Sequence, residues 1–362
     1  MQTFKDRLTV VSNLLVLLSC ASCISSDDEM TVTKLSDLQV IGSHNSYKQA
    51  VEQPLLDFVA GIDPQGAVSL EYEHIPLKDQ LDLGLRNLEL DLFYDPEGGR
   101  YSNPRGLEII LESGNTPLPY DEDNELAPPG LKLFHVQDVD FRSHHLLFTN
   151  GLMEIKSWSD QNPDHVPIFV LINAQDEEIE GTSSPLPFTT EALASIDTEI
   201  RSVFTWEQLI TPDHIRGNFE SLEEAVLTDG WPLLEEVNGK ILFVLDENNA
   251  KTALYLEKFP GLVNSSLFVN RPEGASEAAF MVVNDPIRDF DKIQRLVSKG
   301  YMVRTLADSE TSEARTNDLT RFESAQASGA HIISTDYYIP SKLFESDYKV
   351  VFDDGSYERI KD

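Results

Sequence analysis

The chain has 362 residues, enough for one large barrel or two ordinary domains, and its 41% hydrophobic and 25% charged content excludes wholesale disorder. Its 28 Lys and Arg stand against 62 Asp and Glu, a formal charge of −34. A field of that sign repels a phosphate backbone, which excludes nucleic acid as a partner, and concentrates cations, although solvated surface is the commoner use of such acid.

The N-terminus carries Lys5 and Arg7, then an apolar run from Leu8 to Leu18 broken by Ser12 and Asn13, then small residues. This is the layout of a secretory signal and is too short to span a bilayer. Leu17-Leu18-Ser19-Cys20 resembles the lipobox of bacterial lipoproteins, which makes Cys20 a lipidation site; a plain signal peptide cut near Ser22 or Ser26 is the alternative. The reading is a leader over 1–26 and one catalytic domain over 27–362, secreted or held at the cell envelope as a lipoprotein. Only Cys23 accompanies Cys20, so the body from Asp27 onward has no disulfide and depends on its core.

Beyond the leader, apolar runs alternate with helix-length segments, each run bounded by Gly, Pro, Asn or Asp. Strands are expected at Leu38–Ile41, Leu85–Phe93, Leu131–Val136, Ile168–Ile172, Lys240–Leu245, Ala279–Val283, Met302–Thr305 and His331–Thr335. Such alternation gives an α/β fold with a parallel sheet. With no Gly-rich dinucleotide turn after the first strand, a closed TIM (β/α)₈ barrel fits better than an open sheet. Leu193, Ile196 and Ile200 lie at helical spacing in Thr190–Arg201, as do Phe290, Ile293 and Val297 in Asp289–Ser298. Asn103–Pro129 and Glu177–Pro187 read as surface loops.

Polar residues recur at the C-terminal ends of these strands, the face on which barrels place their sites. His44 and Asn45 follow the first strand, His135 the third, and Asn173 the fourth. Glu89 and Asp91 are two apart on the second strand, so their carboxylates share a face while Leu88, Leu90 and Leu92 take the other. If that face is the barrel interior, two buried like charges need a cation or protons; if it is solvent, the pattern is an ordinary alternating strand. Oxygen donors without a thiolate favour calcium or magnesium over zinc. Each His alone would read as a hydrogen-bonded structural residue, but two beside paired acids can divide a proton acceptor's and a proton donor's work on a phosphodiester. His144 and His145 are adjacent, cannot face the same way, and read as loop or surface residues.

At these residues the chain resembles the calcium-dependent phosphoinositide phospholipase C family. The resemblance runs from about Leu38 to Tyr338 and rests on Gly42-Ser43-His44-Asn45-Ser46-Tyr47, on Gln80 to Asp91, on His135 with Asp138-Val139-Asp140-Phe141-Arg142-Ser143, on Val303-Arg304-Thr305-Leu306-Ala307-Asp308, and on Ser328 to Tyr337. It implies a distorted TIM barrel that cleaves phosphatidylinositol lipids to diacylglycerol and an inositol cyclic phosphate, by attack of the inositol 2-hydroxyl on phosphorus. It further implies His44 as general base or relay, His135 as stabiliser of phosphorus or helper of the leaving group, and Asn45, Glu89 and Asp91 as calcium ligands.

Asn173 stands where relatives often carry a further acid, with Gln175 on the same face, and one charge fewer weakens metal affinity. Arg304, ending a strand, would hold a substrate phosphate or pair with a barrel acid. The implied partners are a phosphoinositide or other phosphodiester lipid and, transiently, a membrane surface, met by a monomer. An apolar or basic rim is expected at the mouth, with Leu55, Leu56, Phe58 and Val59 as candidates, although helix core suits them better. A glycerophosphodiester phosphodiesterase, which usually has Arg in the place of Asn45, and a catalytically silent lipid-binding barrel are the alternatives.

Overall fold

Apolar runs separated by helices build a parallel barrel in the computed structural model, which describes residues 33–361. The leader, Cys20 and the boundary at residue 26 lie outside the described residues. The strands are β1 (Leu38–Ser43), β2 (Asn87–Phe93), β3 (Lys132–Leu133), β4 (Ile168–Ala174), β5 (Ile241–Leu245), β6 (Leu267–Val269), β7 (Phe280–Val282), β8 (Met302–Leu306), β9 (Ile332–Thr335) and β10 (Glu358–Ile360). They form one sheet in the order β6-β5-β4-β2-β1-β9-β8-β7, with β10 antiparallel to β1 and β3 antiparallel to β2. The eight remaining strands are parallel, and a bridge between Asn270 and Phe280 brings β6 to β7, nearly closing the circuit.

Two seams are thin. Between β6 and β7 the chain runs through 270–279 without a helix, so that bridge is their main backbone link. Across the barrel, β1 meets β2 at a single register pair, Gly42 with Asn87. A Cβ on Gly42 would lie 2.2 Å from the Asn87 carbonyl oxygen, so glycine is what lets the strands approach there.

All of β2 is buried, as a strand covered on both faces must be. Its leucines join the main core with Ile168, Val170, Leu171, Phe243 and Val244. The helices Thr190–Val203 and Phe290–Lys299 match the expected segments; the first buries its expected stripe of Leu193, Ile196 and Ile200, whereas the second buries Ile293 with Leu296 and leaves Phe290 and Val297 half-buried.

Two expectations need correction, and one strand was not expected. Leu131–Val136 is not a barrel strand: only Lys132 and Leu133 pair, antiparallel to β2, before a tight turn bridges Val136 to Asp140. β2 instead pairs directly with β4, and the eighth strand of the circuit is β6 beside β5, which escaped notice because its apolar run is only three residues, Leu267–Val269. The segment 103–129 holds a helix, Arg105–Glu112, whose Ile109 and Ile110 pack on Leu55, Leu56 and Phe141. That packing puts Leu55 and Leu56 in core, while Phe58 is exposed. No helix among the described residues is long and apolar enough to cross a membrane.

Candidate active site

The ends of β1, β2, β4, β8 and β9 bring the predicted polar residues together. Glu89 and Asp91 are 4% and 2% exposed, so the solvent-facing reading of their strand fails and both carboxylates lie inside the barrel. Asn173, opposite Asp91 on β4, donates its amide nitrogen to Glu89 Oε1 at 2.9 Å and to Asp91 Oδ1 at 3.1 Å. Arg304, 2% exposed on β8, donates to Glu89 Oε2, to Ser334 Oγ at 2.9 Å and to Asn284 Oδ1 at 2.6 Å. Of the two roles considered for Arg304, the structure holds the ion pair with a barrel acid.

His44 follows β1 with its side chain one-third exposed. Its Nδ1 lies 3.1 Å from Asp336 Oδ1, and its Nε2 faces Glu89 Oε1 at 3.8 Å. Burial disfavours the imidazolium, but Asp336 and Glu89 outweigh it and raise the His44 pKa to about 9. Burial likewise disfavours the Asp336 carboxylate, and His44 with His74 reverses this, holding it well below the ordinary carboxylate range. His74 donates Nε2–H to the His44 carbonyl at 2.6 Å and approaches Asp336 at 3.6 Å, so one segment fixes both members of the pair.

His135 lies in the turn after β3, where Nδ1 is 2.8 Å from Asp140 Oδ2. His135 N and Val136 N both bond the Asp140 carbonyl, so the turn carries its own orienting carboxylate. Asn45 has φ +48°, a left-handed conformation that asparagine tolerates better than most residues. Its amide nitrogen donates to the Tyr72 hydroxyl at 2.8 Å, which leaves its side-chain carbonyl oxygen as the acceptor, met among the described residues only by Tyr47 OH at 3.4 Å.

The electrostatic balance inside the barrel is negative. Burial pushes the Asp91 carboxyl up, and Glu89 adds to this while His135 and His44 only partly offset it. Asp246, just beyond β5, is pushed up to about 6, chiefly by burial, despite Arg304. Arg304 is therefore the only buried guanidinium serving these carboxylates among the described residues, and it is engaged by Glu89. This charge and the hard donors of Glu89, Asp91 and Asn45 fit a calcium ion; Asn173 would add a carbonyl oxygen once its amide is turned. Among the described residues no group of three His, Cys, Asp or Glu is placed to hold a metal ion.

Several functional groups escaped the sequence reading. Asp336 and Asp246 directly follow strands, the same signal that found His44 and Asn45. Asp140, Lys48, Tyr72 and His74 lie in loops and turns, where no periodicity marks them. His144 and His145 are loop residues as expected, but both are engaged: His144 Nε2 bonds the His74 carbonyl at 2.8 Å, and His145 meets Glu154 at 2.7 Å.

With this geometry in view, the chain matches, over residues 33–361, the family described as phosphoinositide phospholipase C, Ca2+-dependent. Among solved structures it is similar to a calcium-dependent phosphoinositol-specific phospholipase C from a Pseudomonas species, at 16% identity and a TM-score of 0.53 over 91% of this chain and 96% of that one. It is also similar to a Ca2+-dependent phosphatidylinositol-specific phospholipase C from Streptomyces antibioticus, at 17% identity and a TM-score of 0.52 over 88% and 99%. At these identities the structural likeness speaks for the fold alone. No curated protein sequence matches the chain.

Proposed function

Because the chain belongs to the Ca2+-dependent phosphoinositide phospholipase C family, we propose that it cleaves the glycerol–phosphate bond of phosphatidylinositol lipids by attack of an inositol hydroxyl on phosphorus. The observation that carries the proposal is the convergence of two carboxylate-oriented histidines, His44 with Asp336 and His135 with Asp140, on a barrel interior that holds Glu89 and Asp91.

In this reading Asp336 holds the His44 Nδ1–H, so Nε2 is the nitrogen that exchanges a proton with the attacking hydroxyl. Neutralising Glu89 would remove one of the two carboxylates that hold His44 protonated and move it toward the form that accepts a proton. His135, held at Nδ1 by Asp140, offers Nε2 to the leaving glycerol oxygen or a non-bridging oxygen. Asn45, Glu89, Asp91 and Asn173 would hold calcium, which when bound supplies positive charge against the phosphate and lowers the pKa of a coordinated hydroxyl. Arg304 orients Glu89 from behind. Transient action at a membrane surface as a monomer, and export with lipidation at Cys20 or by release of the leader, belong to the same proposal.

The test is diacylglycerol release from phosphatidylinositol vesicles, with calcium and with chelator, beside His44→Ala. The expected result is activity that needs both the ion and His44. Activity that survives chelation would remove the metal from Glu89 and Asp91, and turnover of glycerophosphoinositol alone would replace the phospholipase with a glycerophosphodiester phosphodiesterase.

A further inference from the structure

Lys48 is buried at full depth, yet the sequence pattern marks it only as the residue after Tyr47. Its ammonium donates to the Tyr72 carbonyl at 2.7 Å and the Leu70 carbonyl at 3.0 Å, and forms an ion pair with Asp140 Oδ2 at 3.3 Å. The Tyr72 ring covers it at 4.3 Å. The carboxylate oxygen it reaches is the same one that accepts from His135 Nδ1.

Asp140 is also fully buried, and its other oxygen, Oδ1, has no hydrogen-bond partner among the described residues. A buried carboxylate is costly unless a positive charge and hydrogen-bond donors meet it. Lys48 is the lysine or arginine that meets it. Without the ammonium, Asp140 Oδ2 loses one of the two groups that hold it in place, and His135 loses the fixed acceptor that selects its tautomer and turns its ring. The backbone reinforces the pairing: Lys48 bridges to Ser143, His144 N bonds the Tyr47 carbonyl at 2.9 Å, and Gln49 N bonds the Arg142 carbonyl at 3.1 Å. Lys48 thus belongs to the segment that carries His44 and Asn45 while its charge serves the turn that carries His135.

We propose that Lys48 is a positioning residue for the reaction: through Asp140 it fixes the hydrogen on His135 Nδ1, presents Nε2 to the substrate, and sets the spacing of the two histidine-bearing segments. The kinetic part of this rests on the role given to His135 above; the tautomer part does not.

The test uses the mature chain carrying Lys48→Gln, which keeps a donor and loses the charge, and Lys48→Arg, which keeps the charge. The ring nitrogens of His135 are read by NMR, and kcat and KM are measured on phosphatidylinositol vesicles. In Lys48→Gln the His135 tautomer is expected to shift from Nδ1–H toward Nε2–H. Its kcat should fall roughly 10- to 100-fold, part of what a positioned acid–base group supplies, with KM little changed. Lys48→Arg should keep the wild-type ring signal and recover most of kcat. A folded Lys48→Gln protein with an unchanged His135 signal, or one whose KM rises while kcat holds, would overturn the proposal and leave Lys48 a packing residue. If Lys48→Gln does not fold, Lys48→Arg decides, because loss of the Nδ1–H signal with the charge retained would also overturn it. If the wild-type chain cleaves no phosphatidylinositol lipid, the reaction assignment falls while the ring-nitrogen comparison still decides the role of Lys48.

Discussion

Arg304 and Glu89 are 215 residues apart in sequence and meet inside the barrel as a buried ion pair. Removing one partner of such a pair leaves an uncompensated charge, which costs about 3–5 kcal/mol. Arg304→Met should therefore lower thermal stability by that order, and added calcium should restore part of it by taking up the charge of Glu89. Calorimetry with and without calcium checks this, and a larger calcium-induced rise in melting temperature for Arg304→Met than for wild type is the expected outcome. Asp336 tests a different link. Asp336→Asn keeps the shape but cannot accept the His44 Nδ1–H in the same way, so kcat should fall about 10²–10⁴-fold with the fold retained. Circular dichroism beside steady-state kinetics separates loss of chemistry from loss of structure. His44, both acids and Asn45 could be picked out in the sequence because strand ends and the two-residue period mark them, whereas His135 was reached through an expected strand that the structure replaces by a turn. Which acid Arg304 would choose was not legible, since a pairing across 215 residues leaves no local trace.

At the scale of elements, long apolar runs were legible and short ones were not. β4 and β5 announce themselves by Ile, Phe, Val and Leu in sequence, whereas β6 is three residues in a loop-rich stretch and is held mainly by β5. The run around Leu133 misled for the opposite reason: it is apolar because it packs on β2 and the helix Phe148–Gln161, not because it continues the barrel. Close approach of β1 and β2 makes Gly42→Ala a sharp probe, since the added carbon would overlap the Asn87 carbonyl. We expect a loss of about 3 kcal/mol or more, at the upper end for overpacking, measured by urea unfolding. Beyond β3, His145 lies between Glu125 and Glu154 and ties the turn to the following helix. Burial opposes its charge, but the two glutamates outweigh this and raise its pKa to about 9. A histidine held above its unfolded value stabilises the fold fully below about pH 6.5 and loses that contribution as pH rises through about 9. Melting curves of wild type and His145→Gln should therefore differ most at pH 6 and converge above pH 9.

For the whole molecule the governing quantity is the charge of −34. A chain that acts on an anionic lipid must bring this field against a surface of the same sign. Proteins that use basic patches lose membrane affinity as salt rises; here the long-range term is repulsive, so salt should act in the opposite direction. The screening length falls from about 30 Å at 0.01 M to about 8 Å at 0.15 M, which confines the repulsion to residues close to the bilayer. Sedimentation with phosphatidylinositol vesicles across that range, in chelator so that calcium does not bridge the two surfaces, should show binding that strengthens with sodium chloride. Binding that weakens with salt would mean that local cations at the mouth outweigh the net field. Repeating the titration on neutral phosphatidylcholine vesicles separates the effects, because without lipid charge the salt dependence should largely vanish. A strong dependence that persisted there would place its origin within the protein.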